Sequence, residues 1–388
     1  MSPEKTIDLT SVEAWIRQDA LWAGDPVDIV DGLAARIVES GIPIFRLTTG
    51  IPILHPNVFS VSILWEQGRK TVVRRYSGEN FSESVFHNSP LYAVYRSGTT
   101  ERVAVTPEPA EGEYGIVEDL RAMGATDYLA VPMRFSDRSY KALTFAARAP
   151  GGFTGAQVAA LESIAAQMAP IFEIHMQTRK AATLLNTYVG KTAGRRVLDG
   201  EIRRGDGEAI RAVIWFSDLR DFTALGNALD GPELIALLNR YFGAVTRAVE
   251  EGGGEVLKFI GDAVLAIFPY EDEAGAPEMA AAALAAAGRA LEALRQDAEA
   301  GPGDLRCGIA LHAGEVFYGN VGGEARLDFT VIGPAVNLTS RIEGMTRELG
   351  RPLLVSETFA ALLETRPHSL GRHRLKGVAD PVEIFAPD

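Results

Sequence analysis

The sequence is nearly without cysteine. Cys307 is the only one among 388 residues, so no disulfide can form within the chain. An oxidising compartment is therefore not needed to hold it together. Long apolar runs are also missing. The longest, Met279 to Gly288, stops at Arg289, well short of the roughly 20 residues that a membrane helix requires. The opening MSPEKTIDLT carries no apolar stretch of the secretory type. Basic charge is in deficit: 38 Lys and Arg stand against 51 Asp and Glu, for a net charge of −13. Duplex nucleic acid as the main partner needs a field of Lys and Arg and is excluded on that ground. An anionic small molecule is not, because a local site can be positive inside an acidic protein. These shortages lead to the expectation of a soluble cytoplasmic protein with no membrane span and no nucleic-acid partner.

What is present is ordinary globular material, 47% hydrophobic and 23% charged. At roughly 150 residues per domain the length suggests two or three domains, each able to bury a sizeable core. The first 45 residues read as helical. Asp25-Pro26 opens a helix, with Asp as N-cap and Pro at the first helical position, and Ile29, Leu33, Ile37 and Val38 fall on one face. Two hairpins follow. Val58 to Trp65 and Thr71 to Tyr76 flank one turn; Tyr128 to Phe135 and Tyr140 to Ala147 flank another. Thr154 and Gln157 have the spacing of a capping box. The helix they start carries Leu161, Ala165, Met168 and Phe172 at spacings of 4 and 3. That pattern fits an amphipathic helix closing an N-terminal domain, or a short parallel coiled coil. Pro170 should kink it. Residues 189–208 are polar, basic and glycine-punctuated, and a domain boundary belongs there.

Strand and helix then alternate: Ala212 to Ser217, a helix from Asp230-Gly-Pro-Glu233, a hairpin of Val256 to Ile260 and Val264 to Phe268, and an Ala-rich helix over Glu278 to Arg295. Two strands (Arg306 to Ala313 and Leu327 to Ile332) and a helix from Ala335 complete the series. The order β-α-β-β-α-β is the split pattern of a ferredoxin-like core, so the fold class is α+β.

In that topology Asp218, at the end of an apolar strand, lies beside the hairpin whose tip is Gly261-Asp262. Two carboxylates 44 positions apart in sequence can thus converge. Such a pair suits Mg²⁺, which takes oxygen ligands and leaves positions for water and phosphate. Taken singly, each Asp reads more simply as a turn former or a solubilising strand end. Asn337 and Arg341 share one helix face and can hold ribose and phosphate oxygens, although such pairs are commonly solvated. Lys258 is out of place among Val256, Leu257, Phe259 and Ile260; an edge-strand gatekeeper is the bland alternative. Lys376 alone is an ordinary surface lysine.

Five segments in order, WFSDLRDFT (215–223), EVLKFIGDAVLAIF (255–268), CGIALHAGEVFYGNVG (307–322), DFTVIGPAVNLTSRIE (328–343) and RLKGVADPVEI (374–384), resemble the catalytic domain of class III nucleotidyl cyclases. The resemblance covers about residues 208 to 386. It implies that Asp218 and Asp262 hold two Mg²⁺ or Mn²⁺ ions per site. It also implies that Lys258 and Thr330 recognise the purine, and that Asn337 and Arg341 stabilise the transition state. Lys376 would then reach the terminal phosphates, and the loop from Leu219 through Phe222 and Thr223 would cradle the triphosphate. Lysine with threonine resembles the adenylyl type, where guanylyl cyclases usually carry glutamate and cysteine. The implied reaction converts ATP to cyclic AMP and pyrophosphate in a homodimer whose sites draw residues from both chains. A catalytically silent cyclase-like module and a guanylyl cyclase are the competing readings. Asp221, where glycine is common, and Pro334, where Asp or Asn is common, depart from the family pattern.

The domain plan expected from these readings is a GAF-like α/β sensor domain over residues 1–153, with about five or six strands and helices on one face. A closing helix and linker over 154–207 and a catalytic domain over 208–388 follow. A small-molecule ligand of the N-terminal domain is an expected partner, and a plain dimerisation module is the alternative use of that domain.

Overall fold

The computed structural model describes residues 7–55, 58–77, 82–300, 305–324 and 326–387. The chain divides into two compact units, Met1–Leu184 and Leu185–Asp388.

The first unit opens with α1 (Thr10–Gln18) and α2 (Pro26–Glu39). The Asp25 side chain caps α2 by accepting from the Val27 N–H at 2.8 Å, and Pro26 occupies the first turn. The strands are β1 (Ile44–His55), β2 (Val58–Glu66), β3 (Val72–Tyr76), β4 (Glu101–Ala104), β5 (Asp127–Arg134) and β6 (Tyr140–Ala147). Between them lie α3 (Glu83–His87), α4 (Pro90–Ser97) and α5 (Ile116–Ala122). The sheet order is β3-β2-β1-β6-β5-β4, and every pairing is antiparallel. α6 (Gly155–Tyr188) follows. Its capping box forms as the sequence predicts, with the Gln157 N–H donating to Thr154 Oγ1 and the Thr154 N–H to Gln157 Oε1.

Residues of β5 alternate between the two faces of this sheet. Leu129, Val131 and Met133 pack with α1, α2 and α6, while Tyr128 and Ala130 pack with α4 and α5. Helices therefore cover both faces, not the single face expected. The short α4 and α5 lack the extended periodicity that marks a long helix in sequence.

The second unit contains α7 (Lys191–Leu198), β7 (Gly207–Leu219), α8 (Phe222–Ala228), α9 (Gly231–Glu251), β8 (Glu255–Ile260), β9 (Ala263–Tyr270) and α10 (Ala276–Ala300). Then come β10 (Cys307–Gly322), β11 (Leu327–Ile332), α11 (Pro334–Glu348), β12 (Leu353–Ser356), α12 (Glu357–Ala360), β13 (His368–His373) and β14 (Val382–Ala386). The sheet order is β13-β14-β12-β10-β7-β9-β8, and β11 pairs with the far end of β10. The four-strand portion β10-β7-β9-β8 with its two crossover helices is the ferredoxin-like arrangement.

Trp215 and Val213 of β7 face the core with α9 and α10, while Ile214 and Ala212 face the opposite layer. The polar stretch after residue 189 holds α7, whose Ala193 is buried in that second layer. β10 runs nine residues past the expected end at Ala313, because its second half is fixed by β7 on one side and β11 on the other.

Candidate active site

Asp218 stands opposite Ala263 of β9 and Gly308 of β10, one strand away from the hairpin tip that carries Asp262. Gly261 makes that turn possible with φ +66°, a conformation that favours glycine. Asp218 is half-buried, and its Oδ1 is sealed from solvent without a hydrogen-bond partner. Burial, then the neighbouring Asp262 carboxyl, push its pKa up to about 7. Glu343 of α11 adds a third carboxyl at 8% exposure, and burial raises its pKa as well. Its side chain fills the space where a Cβ on Gly308 would lie, so a glycine is needed across from Asp218.

An orphaned carboxylate oxygen among oxygen-only donors is an environment whose chemistry suits a hard divalent cation. Among the described residues no group of three ligands closes a metal site by itself. Two carboxylates that leave positions for water and phosphate match the way Mg²⁺ or Mn²⁺ is held in nucleotide sites.

The chain after β7 turns sharply. Asp221 adopts φ +58° and precedes the first turn of α8. Glycine is the residue most at ease there and Asp is among the next best, which explains why this position can depart from the family's glycine. The Asp221 carboxylate pairs with Arg347 of α11, so the added negative charge is locally balanced. Phe222 and Thr223 form the first turn of α8, where backbone N–H groups lie outside the helical ladder.

A second cluster lies along α11. Pro334 sits in its first turn after Gly333. Asn337 and Arg341, exposed on one face, line a cleft of about 810 Å³ together with Lys376, His312, Glu315 and Thr358. Arg341 and Lys376 have no ion-pair partner among the described residues. His312 is buried, with Nδ1 2.8 Å from Ser356 Oγ and 3.1 Å from Thr358 Oγ1. Burial lowers its pKa to about 4, so it stays neutral at physiological pH. This leaves Arg341 and Lys376 as the cations of the cleft.

The third cluster joins β8 to β11. The Lys258 Nζ lies 2.6 Å from Asp328 Oδ2. Two residues on, Thr330 is buried and its Oγ1 has no partner. A β-bulge between Val256 and Lys258 re-aims the strand, so Leu257 enters the core while Lys258 stays half-buried.

Asp218 thus lies beside Asp262, Asn337 and Arg341 share a cleft with Lys376, and Lys258 meets Asp328 two residues from Thr330. The three pairs do not share one pocket in a single chain: the cleft with Asn337, Arg341 and Lys376 includes neither aspartate, nor Lys258, nor Thr330. Glu343, His312 and Asp328 escaped the sequence reading as site residues. Each lies within a matching segment, but nothing local distinguishes it until its neighbours are placed.

Residues 208–385 match the family of adenylate and guanylate cyclase catalytic domains. This part of the chain is a class III cyclase catalytic domain. The chain is 31% identical over 211 residues to an adenylate cyclase of Anabaena cylindrica, covering 52% of this chain and 41% of that protein. It is 32% identical over 177 residues to adenylate cyclase 1 of Rhizobium meliloti, covering 44% and 26%. It thus spans less than half the length of these curated relatives. Among solved structures, the guanylyl cyclase Cya2 is 33% identical, with a TM-score of 0.41, covering 46% of this chain and 92% of that one. Among the described residues no helix is long and apolar enough to cross a membrane.

Proposed function

We propose that the second unit is an adenylate cyclase that converts ATP to 3′,5′-cyclic AMP and pyrophosphate in a homodimer. The observation that carries the reading is the Asp218–Asp262 pair. A carboxylate oxygen is buried there with no partner, and burial, followed by the neighbouring Asp262 carboxyl, raises the Asp218 pKa. Two Mg²⁺ or Mn²⁺ ions at these carboxylates would ease ionisation of the ribose 3′-hydroxyl and neutralise the phosphates.

The 3′-oxygen forms a bond to the α-phosphorus as the bond to the bridging oxygen breaks and pyrophosphate departs. Arg341 offers fixed donors to the charge developing on the phosphoryl oxygens, and Asn337 one turn away orients the ribose. Lys376 holds the terminal phosphates, and the turn through Phe222 and Thr223 wraps the rest of the triphosphate. Lys258 donates to adenine N1, and the Thr330 hydroxyl accepts from the 6-amino group.

The split of these residues into separate clusters within one chain supports a shared site, in which the aspartates of one protomer face the cleft of its partner. Phe259 and Ile260, exposed at 50% and 47% beside Asp262, supply apolar surface for such an association. The antiparallel six-stranded sheet of the first unit supports its reading as a GAF-like regulatory domain.

The test is product identity. Purified full-length protein incubated with ATP or GTP and Mg²⁺ or Mn²⁺ should yield cyclic AMP in preference to cyclic GMP. Absence of both products would return the silent-module reading.

A further inference from the structure

Arg46 of β1 is only 8% exposed, on the sheet face covered by α4 and α5. A guanidinium stays charged at any pH a protein meets, and a buried charge without a counter-charge is strongly unfavourable. Yet among the described residues Arg46 has no carboxylate partner. Its one side-chain hydrogen bond is to Met123 Sδ at 3.9 Å. The residue across from it on β2 is Glu66, whose carboxylate is engaged by Arg69 at 2.8 Å. Two cations touch residues packed against the same cluster. Lys141 lies over the Tyr95 ring at 5.3 Å, and the Arg148 guanidinium donates to the Met123 carbonyl at 2.9 Å.

Arg46, Ala146 and Tyr128 form one row across β1, β6 and β5, and Thr48, Thr144 and Ala130 form the next on the same face. The middle of this floor is small. Tyr128 rises at one edge, close enough to Arg46 and Thr144 to feel both. Tyr95 of α4 comes down from above, its hydroxyl over Gly50 and without a hydrogen-bond partner. Burial and Tyr128 push the Tyr95 pKa up to about 12, so both hydroxyls keep their protons and donate.

We propose that this face of the first unit binds a small organic anion, an oxyanion group carried on an apolar body. Arg46 is its counter-charge, and the Tyr95 and Tyr128 hydroxyls are its donors. A carboxylate and a phosphate monoester share this chemistry. The inference names the ligand class of the proposed regulatory domain but does not need the cyclase assignment, because binding is read without turnover.

The experiment uses full-length protein, with Trp15, Trp22 and Trp65 reporting unfolding of the first unit. In oxyanion-free buffer, Arg46→Met should melt at or above the wild-type temperature, since it removes an uncompensated buried charge. Benzoate or phenyl phosphate should raise the wild-type melting temperature, and whichever acts identifies the oxyanion. Neutral benzamide should do nothing. Titration calorimetry should show the active anion binding at least about tenfold more weakly to Arg46→Met, as expected for a lost charge-assisted contact, with Arg46→Lys between. Three results would overturn the proposal: Arg46→Met melting below wild type in oxyanion-free buffer, neither anion acting on wild type, or both proteins responding alike.

Discussion

Lys258 and Asp328 face each other across β8 and β11, Nζ to Oδ2 2.6 Å, and Asp328 lies two residues before Thr330 on the same side of β11. The lysine that the cyclase reading assigns to adenine is thus held by a carboxylate before any nucleotide arrives. Asp328 is a positioning residue under this reading. Asp328→Asn should leave kcat within a few-fold and raise KM for ATP several-fold, because the ammonium loses a charge-assisted tether. The structure also limits what Lys258→Glu can do. It would set two carboxylates against each other, so a change of purine preference should require Asp328 to be replaced together with Lys258 and Thr330. The check is the ATP/GTP ratio of kcat/KM in Lys258→Glu/Thr330→Cys, with and without Asp328→Asn. An Asp328→Asn variant with wild-type KM, and a double variant that switches preference equally well alone, would show that the pair is incidental.

The Asp218 carboxyl predicts how the metal-free protein responds to pH. Its folded pKa of about 7 lies above the ordinary carboxylate value, so the folded state binds a proton more tightly than the unfolded state. Stability from this group is fully present below about pH 4 and is lost as pH rises towards 7. With metal chelated, unfolding of the second unit should move to lower temperature over that interval. Mg²⁺ should reverse the loss near neutral pH, and Asp218→Asn should flatten the pH profile and abolish the Mg²⁺ effect. A wild-type melting curve indifferent to both pH and Mg²⁺ would contradict the metal assignment.

Asp221 offers a test of the phosphate turn. Asp221→Gly keeps the left-handed conformation with less strain and frees Arg347 from its ion pair. The loss of one negative charge and release of one positive charge beside the turn should lower KM for the nucleotide by a few-fold at low ionic strength. Salt should shrink the gain. Steady-state kinetics at two ionic strengths would decide, and an unchanged KM at both would place the turn away from the triphosphate.

Local chemistry made much of this legible in advance. Asp25-Pro26, the Thr154 capping box, the helix start at Asp230-Gly-Pro-Glu233 and the Gly261-Asp262 turn act within a few residues, and each forms as read. β1 was hidden because Gly50 and Pro52 interrupt its pattern; it is a strand because β2 and β6 pair with it on both sides. α7 carries Gly194 and charged residues, and it depends on burying Ala193 in the second unit. The site followed the same division. Asp218 and Asp262 were readable because strand order alone brings them together, whereas Asp328 acquires meaning only when β11 lies beside β8. Arg46 carries no signal in the sequence, because its strand is not legible there and its burial without a carboxylate partner emerges only from the fold.

The shared-site architecture gives the most stringent test. If each site takes Asp218 and Asp262 from one protomer and Asn337, Arg341, Lys258 and Thr330 from its partner, then two inactive variants can rescue each other. Asp218→Ala lacks the metal half. Arg341→Ala lacks the transition-state half and should lose roughly 10²–10³ in rate, the usual cost of one electrostatic contact to a transition state. In a mixed dimer one site carries both lesions and the other carries neither, so activity should return to about half of wild type if the sites act independently. Asp218 is half-buried and Arg341 exposed, so neither variant should unfold. Co-expression with two affinity tags isolates the heterodimer, and cyclic AMP formation is the readout. Heterodimers as silent as their parents would refute sites shared between chains. Full activity in either single variant would instead remove that residue from the site.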